Sequence, residues 1–173
     1  MTSIMKINDI LRAQHVKRFH IVHTAKHQSI AEHSFNVAMI GREIAIELGY
    51  SKGAVEMVML SALFHDLDEV ITGDIPTPTK RRAKDKGVDL NDSGVEVPYY
   101  YGDIQNISKI VKAADYMEAA WFLGENKIGR HAESVENDII DKMMLYLEST
   151  FSKKELEKIL IICSVIFGAE FAI

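Results

Sequence analysis

The chain has 173 residues, of which 47% are hydrophobic, and a formal net charge of -5 from 20 basic and 25 acidic side chains. That balance excludes the general basic surface that would hold a nucleic-acid backbone, while the apolar content suffices for one core, so a single domain over residues 1–173 is expected. A lone Cys163 in an apolar stretch permits no internal disulfide, and the opening MTSIMKINDILRAQ has no apolar leader run, so the expected compartment is the cytoplasm.

In chain order, residues 4 to 13 pattern as a short amphipathic helix, followed by a polar, histidine-rich segment without a clear period. Its His20, His23 and His27 are expected mostly to face solvent, with a place near phosphate for His20 or His23 as the alternative. Ser29 and Glu32 fit a capping box, which starts a helix running to about Leu48 and stopping at Gly49. On it His33, Val37, Ile40, Ile44 and Leu48 follow one another at helical spacing, so His33 begins the inward stripe. Ser51 caps the next helix. There Ala54, Val58, Ser61 and His65 share a face, and Val55, Met59, Ala62 and Asp66 form the adjacent line, so the His-Asp pair can point inward together.

Residues 73 to 102 hold all three prolines and many turn formers, and read as a long loop or lid with room for a short strand. Asp103 is the expected cap of a helix to about Leu123, with Ile104, Ile107, Val111, Asp115 and Phe122 on one face. Two further helices follow at about 132–149 and, opened by a Ser152/Glu155 capping box, about 153–171. The fold class is therefore all-α, an irregular bundle of about six or seven helices. The last helix is apolar nearly all round, which places it at the centre of the bundle or against another subunit, and a homo-oligomer is expected. Its longest apolar run, from Ile159 to Ala169, is shorter than the ~18 residues of a membrane span, so no membrane is expected.

Four polar groups interrupt these apolar stripes: His33, His65, Asp66 and Asp115. Burying them would cost several kcal/mol unless something pairs them. Two imidazoles and two carboxylates suit a first-row divalent cation and leave coordination positions open, as a catalytic centre requires. No further histidine lies between Asp66 and Asp115, so one ion per chain is expected, whether Co²⁺, Mn²⁺, Zn²⁺ or Mg²⁺. Glu69, three residues after Asp66 and four after His65, is placed to orient water or shuttle a proton. Lys112 stands one helical turn before Asp115, within reach of a phosphate at the metal, and Lys80 is the member of the Lys80-Arg81-Arg82 run nearest the preceding turn.

The order His, His-Asp, Asp resembles the HD-domain phosphohydrolases. More specifically, RFHIV, SIAEHS, LFHDLDEVITGDIPTPTK and KAADYMEA resemble the 5'-deoxynucleotidase branch and its phage relatives, the dATP triphosphohydrolases, over roughly residues 10 to 125. The resemblance implies a mononuclear site of His33, His65, Asp66 and Asp115 with Glu69 catalytic. It implies phosphate contacts from Arg18 and Lys112, a sugar-meeting or orienting role for Asp74, and a nucleoside pocket of Phe19, Ile21 and Pro78. Bacterial members of that branch usually carry tryptophan where this chain has Phe19, and a longer acidic helix where it has NDSGVEVPYYYG. That compactness resembles the phage enzymes.

The implied activity is cleavage of dATP at the α-phosphate to deoxyadenosine and triphosphate, with Ile21 against the purine edge selecting adenine and Arg18, Lys80 and Lys112 balancing phosphate charge. A 5'-deoxynucleotidase acting on monophosphates is the alternative, and a non-catalytic nucleotide sensor the third reading.

Overall fold

The computed structural model describes residues 3–90, 95–96 and 106–168. Near the N-terminus the expected helix is only one turn, α1 (Ile7–Ile10), continued by a 3₁₀ segment at Leu11–His15. The polar segment after it is more ordered than its lack of period implied. Lys17–Arg18 (β2) and Gln28–Ser29 (β3) pair antiparallel, Lys17 opposite Ser29 and Arg18 opposite Gln28. The first strand, β1 (Ser3–Ile4), instead pairs parallel with β4 (Val95–Glu96), a strand inside the stretch read as a loop.

The capping box forms as the sequence predicts. Glu32 N–H donates to Ser29 Oγ at 3.2 Å while Ser29 N–H donates to Glu32 Oε2 at 2.7 Å, satisfying two donors that the helix itself leaves orphaned. α2 (Ile30–Glu47) starts there and stops before Gly49, whose φ of +82° suits glycine. Ser51 caps α3 (Lys52–Phe64) by accepting from Ala54 N–H.

α3 ends before the His-Asp pair. His65 is its C-cap and Asp66 lies in the following turn, closed by Glu69 N–H donating to the Asp66 carbonyl, so neither is on a continuous helix. Glu69 then begins a separate single turn, α4 (Glu69–Thr72).

A second departure is α5 (Thr77–Asp85), which occupies part of the expected lid. Its Pro76 and Pro78 are not breakers there, because the first turn of a helix needs no intrahelical donor and proline's fixed φ fits it. The residues behind them, KRRAKD, are mostly good helix formers. The remainder of the lid around NDSGVEVPYYYG, and the expected cap Asp103, lie largely or wholly outside the described residues.

α6 (Ile107–Asn126), α7 (Gly129–Thr150) and α8 (Lys153–Phe167) complete the bundle, α8 opened by the predicted Ser152/Glu155 box. Six helices of nine residues or more therefore stand among the described residues, in agreement with an irregular all-α bundle.

α2 packs against α3 and α6, and α6 against α7. The main core between them is built from Val37, Ile44, Val58, Ile110, Met117, Met143, Leu147 and Ile159, all fully buried. Gly41 lets α2 approach closely, since a Cβ there would stand 3.0 Å from Val58 Cγ1. A smaller cluster of Met5, Ala13, Ile30, Leu67 and Val70 ties the N-terminal turns to the end of α3 and α4.

α8 is not buried all round. It turns Ile159, Leu160 and Cys163 inward and leaves Ile161 60% and Val165 80% exposed. No helix among the described residues is long and apolar enough to cross a membrane.

Candidate metal centre

The four interrupting polar groups reach the same point from three parts of the chain. His33 comes from the first turn of α2, His65 and Asp66 from the end of α3, and Asp115 from the middle of α6. One ligand atom from each lies within 4.8 Å of the others. His33 Nε2 is 3.3 Å from Asp115 Oδ1 and 3.5 Å from Asp66 Oδ2, and His65 Nε2 is 3.4 Å from Asp66 Oδ2.

Both Nε2 atoms are buried and have no hydrogen-bond partner. An orphaned ring nitrogen is costly inside a protein, and two of them facing two carboxylates is a donor set that a divalent cation satisfies. The opposite nitrogens are already engaged. His65 Nδ1 is 2.7 Å from the Ala62 carbonyl oxygen, to which it donates, and His33 Nδ1 is 2.5 Å from Glu118 Oε2. Such partners fix the tautomer that leaves Nε2 with a free lone pair. The residues present fit a metal ion.

The electrostatics agree. Burial and the Arg18 guanidinium work to lower His33, but the carboxylates of Asp115, Asp66 and Glu118 outweigh them and hold its imidazole up at about 10 without a cation. Burial works to raise Asp66 and Asp115, yet His65 and His33 respectively lead the opposing effects and bring both below the ordinary carboxylate value. Glu69 goes the other way. Burial first, then the negative charges of Asp66 and Asp74, raise it to about 8. Its Oε1 accepts from Lys80 Nζ at 3.2 Å, and its Oε2 is buried without a partner. Asp68, which adjoins it, is half-buried and shifted upward by that burial and by Asp66.

Beside the cluster lies a cavity of about 370 Å³. Asp115 joins the two, because Oδ1 faces His33 while Oδ2 accepts from Lys112 Nζ at 2.7 Å, and both Asp115 and Lys112 line the cavity. Arg18, Phe19, Ile21, Asp74 and Pro78 line it too. Arg18 Nη2 stands 3.9 Å from Asp115 Oδ1. Phe19 holds a left-handed φ of +54°, a conformation that costs a non-glycine residue energy and recurs at functional sites. Its N–H donates to Asp74 Oδ2 at 3.2 Å, and its ring stacks on Phe122 at 5.6 Å and 9°.

Lys80 is not among the lining residues. It is turned to Glu69, and from the same basic run Arg81 lines the cavity. His20 lines it as well, exposed.

Sequence reasoning missed two contributions. One is the wall from α7, with Val135, Ile139 and Lys142, whose only signal was an unremarkable helical period. The other is Glu118, fully buried three residues after Asp115, together with Gln28 and Asn36. A charged residue on the inward face of an apolar helix was the available signal there.

The bundle and its His, His-Asp, Asp cluster define a phosphohydrolase of the HD type. The 5'-deoxynucleotidase YfbR-like family model matches residues 7–88. A dATP triphosphohydrolase of Salmonella phage PMBT28 is 34% identical over 152 residues, covering 83% of this chain and 78% of that protein. A 5'-deoxynucleotidase of Photorhabdus laumondii is 35% identical over a shorter 72 residues, 40% of this chain and 36% of that one. Among solved structures, the cyanophage S-2L HD phosphohydrolase, bound to dA and one catalytic Zn²⁺ ion, superposes with a TM-score of 0.82. It is 28% identical and covers 94% of this chain and 96% of that one. The chain belongs to the HD phosphohydrolase family that includes the phage dATP triphosphohydrolases.

Proposed function

We propose that this protein is a metal-dependent dATP triphosphohydrolase, releasing deoxyadenosine and triphosphate by hydrolysis at the α-phosphate. The observation that carries the reading is the division of Asp115 between a cation-ready cluster at Oδ1 and a lysine-lined cavity at Oδ2. A nucleotide in that cavity would have its innermost phosphoryl group at the cluster and its outer phosphates among cations. The match to phage dATP triphosphohydrolases over most of both chains supports the substrate.

His33, His65, Asp66 and Asp115 would hold one divalent cation, and the imidazole content favours a first-row ion such as Zn²⁺ over Mg²⁺. When bound, the ion supplies Lewis-acid polarisation of a phosphoryl oxygen and lowers the pKa of water. In hydrolysis a water oxygen bonds to the α-phosphorus, the bond from that phosphorus to O5' breaks, and a proton reaches O5'. Glu69 is the residue we assign to that proton, because a buried carboxyl poised at about 8 can be protonated or ionised near neutrality, and Lys80 holds its Oε1. Arg18 and Lys112 would neutralise charge developing on the phosphates at the wall of the cavity that both line.

Asp74 acts in this reading by fixing the backbone of Phe19, and so the ring that faces the base. Phe19, Ile21 and Pro78 enclose the nucleoside. The whole chain, residues 1–173, works as one domain in the cytoplasm, and the exposed Ile161 and Val165 of α8 support assembly as a homo-oligomer.

Hydrolysis of deoxynucleoside monophosphates is the second reading, favoured by the YfbR-like match over residues 7–88. Incubation with dATP or dAMP and Zn²⁺, Mn²⁺ or Co²⁺, with triphosphate, pyrophosphate and phosphate resolved, tests both. Triphosphate from dATP is the expected product. Phosphate from dAMP alone makes the protein a nucleotidase, and no turnover of either makes it a sensor.

A further inference from the structure

Glu118, the neighbour of His33 Nδ1, is the most completely buried carboxylate near the site, at 0% exposure. A buried carboxylate survives only when its lone pairs are met. Four side chains with N–H groups surround this one. Gln28 Nε2 donates to Oε1 at 2.5 Å and Asn36 Nδ2 to the same oxygen at 3.0 Å. His33 Nδ1 stands 2.5 Å from Oε2, and Arg18 Nη1 is 3.4 Å from it. Gln28 closes the circuit by accepting from Arg18 Nη1 on its Oε1 at 3.0 Å.

His33 Nδ1 also lies 2.5 Å from Arg18 Nη1, so this nitrogen has two competing fates. It can accept from the guanidinium, which puts the ring proton on Nε2 and removes the lone pair a cation needs. Alternatively it donates to Glu118, which frees Nε2 toward Asp66 and Asp115. Only an acceptor at Oε2 selects the second state. The same carboxylate, with the Gln28 amide oxygen, also gives Arg18 Nη1 acceptors at 3.4 and 3.0 Å, which anchors that guanidinium at the wall of the cavity that Arg18 lines.

We propose that Glu118 is the positioning residue of this site: it holds His33 in its metal-ligating tautomer and, through Gln28, sets the Arg18 guanidinium that meets the substrate's phosphates. The inference rests on the metal-dependent reading above. It adds that one buried carboxylate orients both the metal ligand and the phosphate cation.

Glu118→Gln is the informative change. Its amide NH₂ must face donors on one side or the other, and turned to His33 it would donate to Nδ1 and drive the proton to Nε2. Zn²⁺ affinity, measured by chelator competition on the full chain, should fall roughly 10- to 100-fold. Gln28→Ala leaves the His33 to Glu118 bond in place, so Zn²⁺ affinity should stay within about threefold while KM for dATP rises about tenfold, the scale of one hydrogen bond to a charged group.

The wild-type protein supplies a measurement that requires no variant to fold. In ¹⁵N-histidine spectra of the Zn²⁺-loaded chain, His33 should carry its proton on Nδ1. A proton on Nε2 there would overturn the proposal and take His33 out of the ligand set, whereas an unchanged Zn²⁺ dissociation constant in a folded Glu118→Gln protein would overturn the proposal alone and leave the metal reading standing. Failure of the wild-type chain to take up Zn²⁺ at all would overturn both.

Discussion

His65 Nδ1 donates to the carbonyl oxygen of Ala62 at 2.7 Å, one turn back along the chain, and this single bond aims the opposite nitrogen at Asp66 and Asp115. It comes from the helix terminus itself. The last carbonyls of a helix have no intrahelical donor, and an imidazole at the C-cap takes one of them. Ending α3 at Phe64 therefore orients the imidazole that follows it.

Asp66 is the proposed ligand whose loss should be felt most directly, since its Oδ2 faces both His33 and His65. Asp66→Ala is expected to abolish stoichiometric Zn²⁺ uptake, seen by elemental analysis after dialysis. Turnover should drop by more than the roughly 100-fold that loss of an outer partner causes. Circular dichroism should still report a helical protein, because Asp66 is no part of the apolar core.

The metal-free protein should lose stability as pH rises. His33 is raised from 6.5 to about 10, so its contribution is fully present below pH 6.5 and is lost as pH climbs through 10. Glu69, raised from 4.5 to about 8 by burial and the nearby charges of Asp66 and Asp74, binds more protons folded than unfolded, and its effect is lost between pH 4.5 and 8. Asp66 and Asp115 are lowered and act in the opposite sense, stabilising above their unfolded value and ceasing to do so on acidification. Thermal unfolding of chelator-treated protein should therefore peak in mild acid and fall steadily from pH 6 to 10. Zn²⁺ should flatten that decline, because the ion replaces the His33 proton and binds more tightly as pH rises. A metal-free protein equally stable at pH 6 and 10 would contradict the assignment.

Ile21 is 54% exposed and lines the cavity, with nothing of the core depending on it. Ile21→Ala should widen base choice, raising kcat/KM for 2-aminoadenine or guanine deoxynucleotides relative to dATP. A pocket contact of that size discriminates by about 10- to 200-fold. Competition assays with mixed triphosphates would read the ratio, and an unchanged preference would remove Ile21 from base selection.

Cys163 is fully buried in the main core, and burial pushes its thiol up to about 12. Because the thiolate is the reactive form, the native protein should resist a thiol reagent at pH 8. Labelling should become quantitative only in denaturant, which simple end-point mass spectrometry can follow.

At Gly41 α2 lies close against α3, and a Cβ there would stand 3.0 Å from Val58 Cγ1. Gly41→Leu must push Val58 and Ile110 aside, and its expected cost is about 1–3 kcal/mol, more than the roughly 1 kcal/mol that removing a helical glycine returns. Urea unfolding would measure it.

Much of this architecture was legible in the amino-acid order, because local chemistry decides where helices begin. The Ser29/Glu32 and Ser152/Glu155 boxes and the stop at Gly49 all stand where short-range hydrogen bonding and backbone sterics put them. The four polar groups set into apolar stripes were equally visible, since a buried charge without a partner has few physical explanations.

Tertiary structure decided the rest. Whether Lys80 or Arg81 turns to the cavity depends on how α5 docks beside Glu69, and the prolines that announced a loop instead opened that helix. Glu118 stands out in sequence only as a charge on the inward face of an apolar helix, with no sign of its partners. Its meeting with Gln28, Asn36, Arg18 and His33 joins residues 82 to 100 positions apart, separations that no local pattern encodes. Sequence thus determined which residues could not be left alone in a core, whereas only the packing of helices determined which of them would meet.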